Sequence, residues 1–249
     1  MIAPLLEADS LVRRFGGLAA VDGVSLALRR GCLHAVIGPN GAGKSTLTNL
    51  LSGELPPTRG RIRIGGVDAT GWPNWRFARA GVGRSFQRTN VLREMTVMEN
   101  VRLAAQVRCT PPGRLLRRAA REAPPMRAAG RALERVGLQA HAGRLAASLS
   151  HGGLRQLEIA MVLATGPQVL LLDEPLAGMG PEEAERIVLL LRALAVDHAV
   201  LLIEHDMDVV FAVADTLTVM VDGRVLDEGP PERIRASARV QDAYLGHAA

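Results

Sequence analysis

Nine residues, Gly38-Pro39-Asn40-Gly41-Ala42-Gly43-Lys44-Ser45-Thr46, lie between a short apolar run, Leu33–Ile37, and the segment Leu47–Leu51. The run reads as a buried strand and the segment as the continuation of a helix. Glycines between them let backbone N–H groups turn toward one point, which bulkier residues would resist. Strand, glycine-rich loop and helix N-terminus in that order make an anion site. The spacing is G-x-x-x-x-G-K-[ST], a loop shaped to cradle phosphates. Composition sharpens this reading. Of 30 lysines and arginines in 249 residues, Lys44 is the only lysine. A compact ammonium reaches a terminal phosphate where a planar guanidinium is too bulky. The Ser45 hydroxyl can hold Mg²⁺ beside it.

A second run, Val169–Leu172, ends in Asp173-Glu174-Pro175. A buried strand carries such carboxylates to its C-terminal edge, where ligands bind in open α/β sheets. Asp173 is then placed to hold Mg²⁺ through water, and Glu174 to polarise an attacking water.

Residues 5–12, 24–28 and 33–37 read as strands, 60–66 as an exposed hairpin arm and 82–86 as another strand. From about 88 to 165 the pattern turns helical. Thr96 is an N-cap for a helix at 97–107, and further helices are expected at 126–137 and from Ser150–Gly153. The proline- and arginine-rich stretch 109–125 reads as a loop. Beyond 168, strands (169–172, 200–204, 217–221) alternate with helices (181–195, 207–214), and Asp222-Gly223 turns a hairpin. This order implies an α/β fold with a mostly parallel, doubly covered sheet. The helical block 88–165 reads as an insertion between two halves of one unit, 1–87 and 166–249.

Other features exclude functions. Apolar runs fall far short of the ~20 residues that span a bilayer, and Glu7 and Asp9 interrupt any signal-peptide core, so a cytoplasmic protein is expected. Cys32 and Cys109 fit no metal or redox spacing. Net charge is +5, but only 3% of residues are aromatic, so stacking platforms for nucleic acid are not expected. Arg114, Arg117, Arg118 and Arg121 share one helical face. The stripe reads as a solvated face or a contact for lipid headgroups or an acidic partner.

Leu149-Ser150-His151-Gly152-Gly153, upstream of Asp173, resembles the signature motif of ABC ATPases. The loop at 38–46, Asp173 and Glu174 fall in the matching order. So do Phe15, where that family stacks an aromatic on adenine, Gln87, like its Q-loop glutamine, and His205, like its switch histidine. The resemblance covers nearly the whole chain. It implies a P-loop ATPase of ABC type, with an antiparallel β subdomain and an inserted helical subdomain. ATP would bind at Phe15 and at Gly38, Pro39, Asn40, Gly41, Ala42, Gly43, Lys44, Ser45 and Thr46. Ser150 and Gly152 would close on the γ-phosphate from the opposite subunit of a dimer. Glu174, His205 and Gln87 would be catalytic, and Ser45, Gln87 and Asp173 would hold Mg²⁺. There are departures. His151 and Gly153 stand where Gly and Gln are common, and Gly180 replaces the usual D-loop Asp.

Further segments narrow the resemblance: Arg14-Phe15-Gly16-Gly17-Leu18, Arg84-Ser85-Phe86-Gln87, Leu92–Val101, Arg155-Gln156-Leu157-Glu158-Ile159-Ala160, Ala177–Glu183, Glu204-His205-Asp206-Met207 and Ala243-Tyr244-Leu245-Gly246. These look like the ATP-binding subunit of bacterial branched-chain amino acid importers. Implied partners are two membrane permeases, a second ATPase subunit or a second copy, and, indirectly, a periplasmic binding protein. Arg88–Glu99 would help grip a permease, at the cytoplasmic face of the inner membrane. The resemblance leaves open urea, amide or aromatic-acid import, lipopolysaccharide export, and a soluble ABC ATPase outside transport.

Overall fold

The computed structural model describes residues 3–86, 90–109 and 123–245. Gln87, Arg88 and the arginine stripe from Arg114 to Arg121 lie outside them.

The chain opens with strands β1 (Leu6–Phe15) and β2 (Leu18–Leu28), paired antiparallel from Leu6↔Leu28 to Phe15↔Leu18. Both run longer than the alternation suggests. The register slips between Ala8 and Leu11, where Ser10 takes a left-handed φ of 50°, and again at Arg13/Arg14. Each slip breaks the period-two pattern while pairing continues. After β3 (Cys32–Ile37) and α1 (Lys44–Leu51) come β4 (Arg59–Ile64) and β5 (Val67–Asp68). The expected exposed arm is instead an inner strand. β4 lies between β1 and β5, with Ile62 fully buried. A short helix that the pattern missed, α2 (Asn74–Arg79), follows. It seats the buried Phe77 ring over Gly53, where a Cβ would lie 2.5 Å from the ring.

β6 (Val82–Arg84) leads to helices α3 (Val97–Cys109), α4 (Ala123–Arg135) and α5 (His151–Ala164). Thr96 caps α3 as expected. Its hydroxyl accepts from the Glu99 amide (3.1 Å), and the Glu99 carboxylate accepts from the Thr96 amide (2.9 Å), a reciprocal capping box. The remaining elements are β7 (Val169–Asp173), α6 (Pro181–Asp197), β8 (Ala199–Ile203), α7 (Met207–Val213), β9 (Thr216–Val221), β10 (Arg224–Gly229), α8 (Pro231–Arg235) and α9 (Ala238–Leu245).

The larger sheet has the order β10-β9-β3-β8-β7-β6. All neighbours are parallel except β10, which is antiparallel to β9. It is the mostly parallel core that the strand–helix alternation implied, and β1, β2, β4 and β5 form the antiparallel sheet. Period-two alternation divides the core. Leu33, Ala35, Ile37, Leu170 and Leu172 join Val101, Leu133, Leu157 and Leu191 on the helical side. Val36, Val169, Leu171, Leu201 and Ile203 face Leu47, Leu50, Leu51, Leu6 and Leu11 on the other. Strands covered on both faces are nearly continuously apolar. The polar exceptions inside β3 and β9, His34 and Thr218, are buried and paired with each other at 2.7 Å.

Leu171 is fully buried in the centre of β7. Leu171→Ala should cost about 2–5 kcal/mol, read as a lower midpoint in urea unfolding followed by circular dichroism.

Candidate functional site

The loop between β3 and α1 needs its glycines for steric reasons. At Gly38 (φ 155°) a Cβ would stand 2.2 Å from the Met220 carbonyl oxygen. At Gly43 (φ 96°) it would stand 2.2 Å from the Ala20 carbonyl oxygen. The loop is thus wedged between β9 and β2. Gly43 is also the N-cap of α1 and supplies no side-chain cap, leaving that end to be met by a ligand. Pro39, Asn40 and Gly41 line the outer rim, Ala42 is buried, Ser45 is exposed and Thr46 half-buried. Lys44 folds back across its own loop. Its Nζ donates to the carbonyls of Gly38 (2.6 Å) and Pro39 (3.0 Å). Burial pushes its pKa below the ordinary lysine value, against the opposing pull of Glu174 and Asp173.

Those carboxylates sit where β7 ends. Asp173 is 5% exposed. Its backbone N–H donates to Ser85 Oγ (3.4 Å), and the Arg84 guanidinium lies 3.8 Å from Oδ2. Burial raises its pKa, and Arg84 is the main force holding it down. Glu174 turns away from the strand with φ 46°, a left-handed conformation costly for a non-glycine residue. Its N–H still donates to the Ile203 carbonyl (2.9 Å). Neighbouring β8 delivers Glu204 and His205. His205 Nδ1 lies 4.0 Å from Glu174 Oε1 and 3.8 Å from Glu204 Oε2. Glu204 is itself buried and accepts from the Leu176 amide (2.9 Å), pinning the turn after Glu174. Lys44, Asp173, Glu174 and His205 therefore gather at one sheet edge.

Phe15 stands apart at the tip of β1, 46% exposed, with the Arg13 guanidinium 4.8 Å from its ring centre. Its tether to the loop is short, because Ala20, which touches Gly43, follows its strand partner Leu18 in β2. Ser150 caps α5. Its Oγ accepts from the Gly153 amide (3.2 Å) and donates to Glu183 Oε1 (2.8 Å). A Cβ at Gly152 would stand 2.8 Å from Glu183 Cδ. Among the described residues these bonds lead to α6, not to residues 38–46. The contacts of Ser150 and Gly152 thus tie the segment at 149–153 to α6.

The family model for ABC transporters matches residues 21–177, and the model described as branched-chain amino acid ATP-binding cassette transporter matches residues 224–249. The chain is 43% identical to the high-affinity branched-chain amino acid transport ATP-binding protein BraF of Pseudomonas aeruginosa, over all of both chains. It is 43% identical to LivG of Escherichia coli, again over all of both. The solved ADP conformation of MJ1267, an ATP-binding cassette of an ABC transporter, superposes with a TM-score of 0.87 at 31% identity, covering 98% of this chain and 99% of that one. The chain belongs to the ATP-binding cassettes of ABC transporters. It is an ATPase, and its full-length relatives are branched-chain amino acid transport ATP-binding proteins.

Several groups at the cassette's site escaped sequence reasoning. Arg84 bridges Asp173 and the Ser52 hydroxyl (2.9 Å). Glu204 buttresses the turn after Glu174, and Glu183 contacts the signature segment. Each partner lies tens of residues away, so no local pattern announces it. Trp75, Phe86, Val107 and Val162 line an apolar groove of about 380 Å³ beside α2 and β6.

The glycine geometry gives a contrast. Gly43→Ala should abolish binding of a fluorescent ATP analogue, because loop and β2 cannot both keep their places. Gly41→Ala meets nothing within 4 Å and should cost only the left-handed strain, about 1–2 kcal/mol, with binding retained at several-fold lower affinity.

Proposed function

We propose that this cassette hydrolyses ATP at residues 38–46, 173–174 and 205, and that the cycle drives branched-chain amino acid import. The gathering of Lys44, Asp173, Glu174 and His205 at one sheet edge carries the chemical part of this reading. The full-length relationship to BraF and LivG supports the substrate class.

Lys44 and the α1 amides neutralise the terminal phosphates. The carbonyls now held by Lys44 are exchanged for phosphate oxygens at little cost in reorganisation. The Ser45 hydroxyl and the Asp173 carboxylate are hard oxygen donors suited to Mg²⁺, which takes few protein ligands and keeps phosphates and waters. Gln87 joins them in the family pattern. Held there, Mg²⁺ would supply charge neutralisation for the phosphates. Glu174 orients and polarises the attacking water, and His205 contacts the γ-phosphate. Phe15 stacks on adenine. Ser150 and Gly152 serve the nucleotide of a second cassette, either another copy or a homologous subunit, and ATP is sandwiched between the two. Within one chain the contacts of Ser150 and Gly152 are with Glu183 of α6 rather than with residues 38–46, which supports that arrangement. The chain divides into a catalytic core at 1–87 and 166–249 and a helical signature subdomain at 88–165.

No helix among the described residues is long and apolar enough to cross a membrane. Two permease subunits would supply the crossing, with a periplasmic binding protein delivering solute. The cassette works at the cytoplasmic face. The groove at Trp75, Phe86 and Val107 opens just before Arg88 and supports permease docking there.

Two experiments test this. Glu174→Gln should slow hydrolysis by about 10²–10⁴-fold, the range for loss of a positioned base, and should elute as a dimer in ATP and a monomer without it. A monomer under both conditions would contradict the sandwich. Lys44→Ala in the native host should abolish uptake of labelled leucine, isoleucine and valine while urea and benzoate uptake persist. Loss of a contrast solute alone would reassign the substrate.

A further inference from the structure

Arg155 and Glu158, one turn apart on α5, form the most buried ion pair among the described residues. Their side chains are 4% and 5% exposed, and Nη1 lies 2.7 Å from Oε2. Burying two charges is costly, and an apolar pair of similar volume often serves stability as well. What this pair does is grip backbone from three segments. Arg155 Nη1 also donates to the Phe86 carbonyl (2.8 Å), and Nη2 to the Glu174 carbonyl (3.5 Å). Glu158 Oε1 accepts from the Phe86 amide (3.3 Å), and the Asn90 amide donates to the same carboxylate. Phe86 is thus held by both its N–H and its C=O, and Asn90 is held from beyond residues 87–89.

The third grip matters most. Glu174 has a left-handed φ of 46°, so the chain leaves the course of β7 at this residue. Arg155 is a donor waiting at that carbonyl. The same helix begins at Ser150, whose Oγ caps it. The same helix thus carries the Ser150 cap at the signature segment and, at Arg155, the fork that reaches the Glu174 carbonyl.

We propose that Arg155 and Glu158 are a positioning pair for ATP hydrolysis. They fix the Glu174 backbone, and so the direction of its carboxylate, relative to Phe86, Asn90 and the signature helix. The inference rests on the assignment of Glu174 to the water-orienting role made above.

The test uses the full chain with Arg155→Lys, Glu158→Gln and Glu174→Gln. Lysine keeps the charge and reaches Glu158, but it lacks the planar fork that spans two carbonyls. Glutamine keeps an acceptor for Phe86 but loses the charge. Each variant is titrated with a fluorescent ATP analogue to count competent sites, and kcat per site and KM are then measured. Both pair variants should bind nucleotide within about twofold of the parent, since residues 38–46 are untouched. Their kcat should fall at least about tenfold, because small misplacements of catalytic groups cost up to about 10²-fold. An unchanged kcat per site in both variants would overturn the inference. So would a loss of binding in step with kcat in both, which marks a pair that only holds the fold. Glu174→Gln separates the two claims. If it leaves kcat intact, the role of Glu174 fails. If it abolishes kcat while the pair variants turn over normally, the pair alone fails.

Discussion

Everything at the site follows from a sheet that is covered on both faces. β3, β7 and β8 each bury every residue but one end of β3. Water and charge are excluded from their length and admitted only where they stop. The parallel arrangement makes β3, β7 and β8 stop on the same side. Asp173 and Glu204 are the first charged residues along β7 and β8, and β3 holds one buried polar side chain, His34, whose Nε2 lies 2.7 Å from Thr218 Oγ1. The reactive edge is thus a consequence of hydrophobic burial before it is a feature of chemistry.

Near that edge, charges are balanced against one another, some across elements and some within one helix. Lys44 faces Asp173 and Glu174, Arg84 faces Asp173, and Arg155 faces Glu158. Burial pushes the pKa of Asp173, Glu158 and Glu204 upward and that of Lys44 and Arg84 downward. The opposing charges hold the ionised forms in place.

The sequence was most legible where local physics is sufficient. The loop at 38–46 declares itself by glycine spacing and a solitary lysine. β7 shows as the run Val169–Leu172 ending in Asp173, and α3 by the Thr96 cap at its start. Legibility failed where local pattern is overruled. The bulges at Ser10 and Arg13 hid the true lengths of β1 and β2, and α2 is too short for periodicity to speak. The ties from Arg84 to Asp173, from Arg155 to Phe86 and from Ser150 to Glu183 join residues 89, 69 and 33 positions apart. Only the tertiary structure brings them together. Gln87 was named from its place after β6, and it lies outside the described residues.

The solitary lysine has a consequence of another kind. A reagent that acylates amines finds one side-chain target in this chain, and that target is the phosphate loop. Its ammonium is half-buried, and burial lowers its pKa. Acylation of a lysine side chain in this protein therefore reports on Lys44 alone.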